Sequence, residues 1–259
     1  MAGRKRLARV RGPEPPGLSR RPATRAPRRR IVIYCEGATE EDYLRWIASA
    51  LRGQLVSVEP VGGVGVPDTV VDRAIEARAE LQRAAGRSGA NSFESQFSVW
   101  AMFDKDDHEV AGALSRAKVN AVATAYSNPC FELWGVLHFE DHDAPDGRDI
   151  VQRRLRELMP GYDHEKNPYL VREYLTDDRR EAASLRAASL RHRRAEEGEA
   201  TGNPFTTVDL LIAQILSSVV QLPLVEEVVG ELRSKIETIE ATEAFQNGDR
   251  AAHATVSSL

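Results

Sequence analysis

The sequence predicts an α/β fold: a parallel sheet with flanking helices, followed by a helical C-terminal region. Three observations point there. Short apolar runs alternate with amphipathic segments over residues 30–126. Two of those runs stop abruptly at acids, in 31-IVIYCEGATEE-41 and 97-FSVWAMFDKDDHE-109. Past Tyr126 the strand signal gives way to helical periodicity.

The elements follow in order. Residues 1–29 are basic and proline-rich with almost no apolar periodicity, and are expected to be a disordered arm. Arg30 to Cys35 reads as a buried-type strand, Gly37 as a tight exit, and Thr39 as the cap of a helix with Asp42 three residues on. That helix places Leu44, Ile47 and Leu51 on one face and ends at Gly53. A strand is expected over 55–58. The loop 60-PVGGVGVP-67 lacks both the GxGxxG spacing and a GK[ST] ending, so it reads as a connector rather than a phosphate cradle. A long helix over 68–86, a strand over 97–103, a helix over 109–118 and a strand over 121–126 complete the alternation. Asn128 and Pro129 have the residue types of an N-cap and first helical position, for a helix running to about Phe139. Helices are expected at 147–158, 178–197, 205–220 and 223–241. The chain thus divides into the arm, an α/β domain over 30–140, a helical region over 141–241 packed on it, and a flexible tail over 242–259.

Composition narrows the function classes. No apolar run approaches the roughly 18 residues needed to span a bilayer, and the basic N-terminus lacks a secretory apolar core, so no membrane role and a cytoplasmic location are expected. Cys35 and Cys130 lack a CxxC partner, which argues against a zinc or disulfide framework. The net charge of −4 conceals an asymmetry: residues 1–30 hold eleven Arg and Lys against one acid, Glu14, and the remainder holds 24 basic and 38 acidic residues. A basic arm on an acidic body is either a solvated tail or an electrostatic hold on a phosphate backbone.

The carboxylates at the strand ends are the most informative feature. In a parallel sheet all carboxyl ends of the strands face one edge, where ligands bind. If the strands ending at Glu36 and Asp104 are neighbours, Glu36, Asp104 and Asp106 converge, and a divalent cation relieves their repulsion. Oxygen-only ligands favour Mg²⁺, or Mn²⁺, over zinc. In an extended stretch Asp104 and Asp106 share a side, whereas Asp107 points away with Lys105, which leaves Asp107 and His108 as turn residues.

These residues, together with 125-AYSNPCFELWGVLHFE-140, resemble the RloB-like proteins, bacterial and archaeal members of the TOPRIM superfamily. The SNPCFELW stretch is the specific part, and the resemblance spans roughly residues 30–220. It implies a TOPRIM-like sheet, Mg²⁺ dependence and a place in phage defence. The function expected is therefore a TOPRIM-type nuclease, with Asp104 and Asp106 holding the ion and Glu36 completing the shell or moving a proton. Glu132 lies in the first turns of a helix apolar on most sides, so it reads as a second-metal ligand, an orienting group or a satisfied structural acid. Lys166, in 161-GYDHEKNPYL-170, reads as a phosphate contact or a solvated lysine, and Asn128 as a cap or a substrate contact. Arg186, Arg191, Arg193 and Arg194 share one helix, as a phosphate-facing patch or an exposed face. The alternative function is a non-catalytic nucleic-acid- or nucleotide-binding subunit. The chain has no GxxxxGK[ST], so an ATP-driven step requires another subunit, and the resemblance implies an ATPase partner encoded nearby. The other expected partners are DNA or RNA and, optionally, further copies of the chain.

Overall fold

The computed structural model describes residues 29–51, 56–88, 96–105 and 109–218. Residues 1–28 of the expected arm, Asp106, Asp107 and His108, the helix expected at 223–241 and the tail expected over 242–259 lie outside the described residues.

Among these residues β1 (Arg29–Cys35), β2 (Val56–Val61), β3 (Phe97–Asp104), β4 (Ala123–Asn128) and the short β5 (Phe205–Thr206) form one sheet in the order β2-β1-β3-β4-β5. The first four are mutually parallel, and β5 pairs antiparallel with β4. Strand side chains alternate between faces, and both faces are covered. Ile31, Ile33 and Cys35 of β1 join Trp100 and Met102 of β3 under α1 (Ala38–Ala50), which contributes Tyr43, Leu44 and Ile47. Val32, Val99, Ala101 and Phe103 face the other way, against Val70, Val71 and Ala74 of α2 (Pro67–Ser88) and Ala113 and Ala117 of α3 (Ala111–Val119).

The helical remainder packs on the α1 side. Helix α4 (Glu132–Leu137) is buried along its length, with α5 (Arg148–Leu158), α6 (Asp177–Glu196) and α7 (Val208–Ser217) sharing its core. A Cβ on Gly135 would come within 2.9 Å of Leu155 Cδ2, so α4 and α5 approach as closely as a glycine permits. Trp134 Nε1 donates to Tyr43 Oη at 3.0 Å and ties α4 to α1. No helix among the described residues is long and apolar enough to cross a membrane.

Several boundaries differ from expectation for identifiable reasons. β2 runs through Pro60 and Val61, which were expected in the loop; at a sheet edge a strand tolerates the missing proline donor. Gly37, not Thr39, caps α1, with extended backbone (φ −119°, ψ 176°) and no side-chain cap bond. Asn128 ends β4 instead of capping a helix, because its backbone is in register with Phe205 of β5 and its Nδ2 donates to Thr201 O at 3.0 Å. Residues 205 and 206, expected at a helix start, form β5. Thr207 Oγ1 fastens this turn to β4 by accepting from Tyr126 N–H at 2.9 Å and donating to Thr124 O at 3.1 Å. The helix begins only at Val208.

Candidate functional site

Because β1 lies between β2 and β3, the chain leaves β1 toward one side of the sheet and returns on the other. The carboxyl ends of β1 and β3 therefore flank a topological switch point, the place where open α/β sheets bind ligands. Glu36 directly follows β1, and its N–H extends the ladder to Met102 O at 3.1 Å. Asp104 is the last residue of β3, and its N–H donates to Glu36 Oε2 at 3.2 Å. Glu132 opens α4, and Glu40 sits in the first turn of α1. A cleft of about 270 Å³ is lined by all four acids together with Arg148 and His164.

The acids differ in electrostatic character. Asp104 is 7% exposed. Burial lifts its carboxyl well above the usual range, Glu40, Glu132 and Glu36 add repulsion, and the Phe131 N–H opposes the rise. Burial likewise raises Glu40 to about 7; its own N–H and Arg148 pull down, while Glu132 and Glu36 push up. Gly37 makes room for this group, since a Cβ there would lie 2.7 Å from Glu40 Oε2. Glu132 behaves oppositely. Burial acts to raise it, but hydrogen bonds from His164, Tyr162, Cys130 and its own N–H outweigh that and hold it below the ordinary range. Its Oε1 accepts from Tyr162 Oη at 2.8 Å, His164 Nδ1 at 3.0 Å and Gln152 Nε2 at 3.3 Å.

Glu36, Asp104 and Glu132 are thus brought together, and Asp106 lies outside the described residues. Lys166 is exposed two residues beyond His164, with its N–H on Asp163 Oδ1 at 3.1 Å, and is not among the residues lining the cleft. Asn128 is buried and serves the backbone of residue 201. The α6 arginines are absorbed internally. Arg186 donates to Leu137 O, Arg191 pairs with Asp209, Arg193 with Asp141 and Asp143, and Arg194 with Asp143 and Glu197. Cys35 and Cys130 are free and buried.

Sequence reasoning missed Glu40, Arg148, Tyr162 and His164. Glu40 had a usable signal: it stands four residues after Glu36, at the start of a helix that begins at the same sheet edge. Tyr162 and His164 meet Glu132, and Arg148 reaches the cleft, only through tertiary folding.

The donor chemistry fits a hard divalent cation, being buried, all-oxygen and mutually repulsive. Among the described residues no three His, Cys, Asp or Glu side chains are placed to hold one ion as they stand. Glu132 carries three donors on one oxygen.

A family model described as RloB-like protein matches residues 31–215. No curated protein and no solved structure gives a significant match.

Proposed function

Because this chain belongs to the RloB-like protein family and gathers four carboxyl groups at the switch point of a parallel sheet, we propose that it is a Mg²⁺-dependent nuclease of TOPRIM type. It hydrolyses phosphodiester bonds in DNA or RNA as the effector of an antiphage, abortive-infection system. The observation that supports this most is the bond from Asp104 N–H to Glu36 Oε2, which joins the acids of two neighbouring strands at the ligand-binding edge. Glu36 and Asp104, joined by Asp106, would hold Mg²⁺ or Mn²⁺. A cation bound there neutralises charge on the scissile phosphate and activates water.

The chain's own groups do the positioning. Arg148 supplies positive charge at the cleft, where a phosphate of the substrate would arrive. Phe131 and Pro168 add apolar surface to the wall of the site. Glu132 holds its shape through the three donors on Oε1.

The test is incubation of purified protein with DNA and RNA oligonucleotides in Mg²⁺, Mn²⁺ or EDTA, alone and with the ATPase encoded nearby. Strand scission that depends on the metal is expected. Binding without scission under all of these conditions would replace this reading with that of a regulatory nucleic-acid- or nucleotide-binding subunit.

A further inference from the structure

The loop over 161–170 delivers an imidazole to the acidic cleft. His164 Nδ1 stands 3.0 Å from Glu132 Oε1, the oxygen that Tyr162 and Gln152 also reach. Those two extra donors fix the carboxylate, so the imidazole meets a rigid anchor. The His164 side chain is 40% exposed while that of Glu132 is 4% exposed, which sets a buried acid behind a ring at the cleft mouth. His164 lines both the cleft with Glu36 and Asp104 and the adjoining groove along α5. A carboxylate bonded at Nδ1 keeps that nitrogen protonated and makes Nε2, across the ring, the one that exchanges protons.

The geometry points to Glu132 and His164 as a carboxylate–histidine dyad that delivers a proton to the leaving oxygen of a phosphodiester, an inference that rests on the hydrolytic reading above. The oxygen of a water forms the new bond to phosphorus, and the bond to the leaving oxygen breaks with its electron pair on that oxygen. The Nε2 proton of the imidazolium passes to it. The surplus proton of the attacking water goes to solvent, and the imidazole regains one from solvent. The net change is one water consumed, with an ester bond replaced by an alcohol and a phosphomonoester. Glu132 from α4, Arg148 and Gln152 from α5, and Asp163 and Glu165 of its own loop neighbour the ring, and Glu36, Glu40 and Asp104 line the same cleft. The hydrogen bond to Glu132 dominates and holds the imidazolium above the ordinary histidine range. Glu132 is thereby a positioning residue and His164 the catalytic one.

The experiment compares His164→Gln with the wild type on two oligonucleotides of whichever nucleic acid the wild type cleaves, one natural and one with sulfur in place of the leaving oxygen. A thiolate departs without a proton, so the two substrates separate proton delivery from every other role. His164→Gln is expected to lose on the order of 10²–10⁴ in rate on the oxygen substrate and to stay within roughly tenfold of the wild type on the sulfur one. Its pH–rate profile should lose the alkaline limb that the wild type shows. Asp104→Asn should be inactive on both substrates. Melting curves verify the fold, and His164→Asn replaces the glutamine variant if that one does not fold. Equal slowing on both substrates, or no slowing on the oxygen substrate, overturns the dyad while leaving the nuclease reading intact. A wild type that cleaves neither substrate overturns the nuclease reading itself, and the dyad with it.

Discussion

Replacing Glu40 by glutamine should stabilise this protein at neutral and alkaline pH, the reverse of what losing a buried hydrogen-bonded acid usually does. The Glu40 carboxyl is raised to about 7 against an ordinary 4.5, first by burial and then by its acidic neighbours. A carboxyl raised in the folded state contributes stability that is fully present below the unfolded value and lost as pH climbs through the folded one. The loss therefore develops between about pH 4.5 and 7. At about 1.4 kcal/mol per pH unit it amounts to about 3 kcal/mol, an order-of-magnitude figure. Glutamine mimics the protonated form in shape and charge. Urea unfolding in EDTA across that pH range should show Glu40→Gln equal to the wild type in acid and more stable by about 3 kcal/mol at pH 8. Added Mg²⁺ should narrow the gap, because a cation supports the ionised acids. Equal stability at pH 8, or a gap that persists unchanged in acid, would refute the reasoning.

Glu132→Gln should act with the opposite sign. Its carboxyl is held low by donors, so its contribution exists above its unfolded value and fades as pH falls through the folded one. The variant should melt lower at pH 7 by about 1–3 kcal/mol, read by the same unfolding curves. Asp104→Asn should reduce metal-dependent cleavage by at least about 10²-fold while the melting temperature holds or rises, since one repelled charge is gone. Gly135→Ala should cost about 1–3 kcal/mol in a thermal melt, because the new Cβ meets the buried Leu155 at 2.9 Å where two helices pack closely. Deleting residues 1–28 should leave the melt unchanged and weaken low-salt nucleic-acid binding, measured by salt titration; a deletion that fails to fold would count against a separable arm.

What the sequence disclosed follows the range over which each signal acts. The strands ending at Glu36 and Asp104 were legible because an apolar run halted by an acid is a local pattern. Their adjacency depends on strand order, which parallel topology favours but no window of residues encodes. Glu40 was hidden behind an ordinary role, since acids are common in the first turn of a helix. His164 sits in an aperiodic loop and meets Glu132 across 32 positions, with nothing local to announce the pairing. Asn128 misled through its proline: the pair looks like a helix start, yet β5, almost eighty residues later, supplies the partner that prolongs the strand.

The three hydrogen bonds on one oxygen of Glu132 bear on how this chain can be dismantled. Two strand-end acids and Glu40 belong to the first half, but the donors that aim Glu132 come from α5 and the loop after it. A fragment stopping after α4 would inherit the acids without the hands that steady one of them, and would strip the apolar cover from Leu133, Trp134 and Leu137. The smallest portable unit is accordingly the sheet together with its helical half. Grafting, splitting or circularly permuting the chain has to respect that joint.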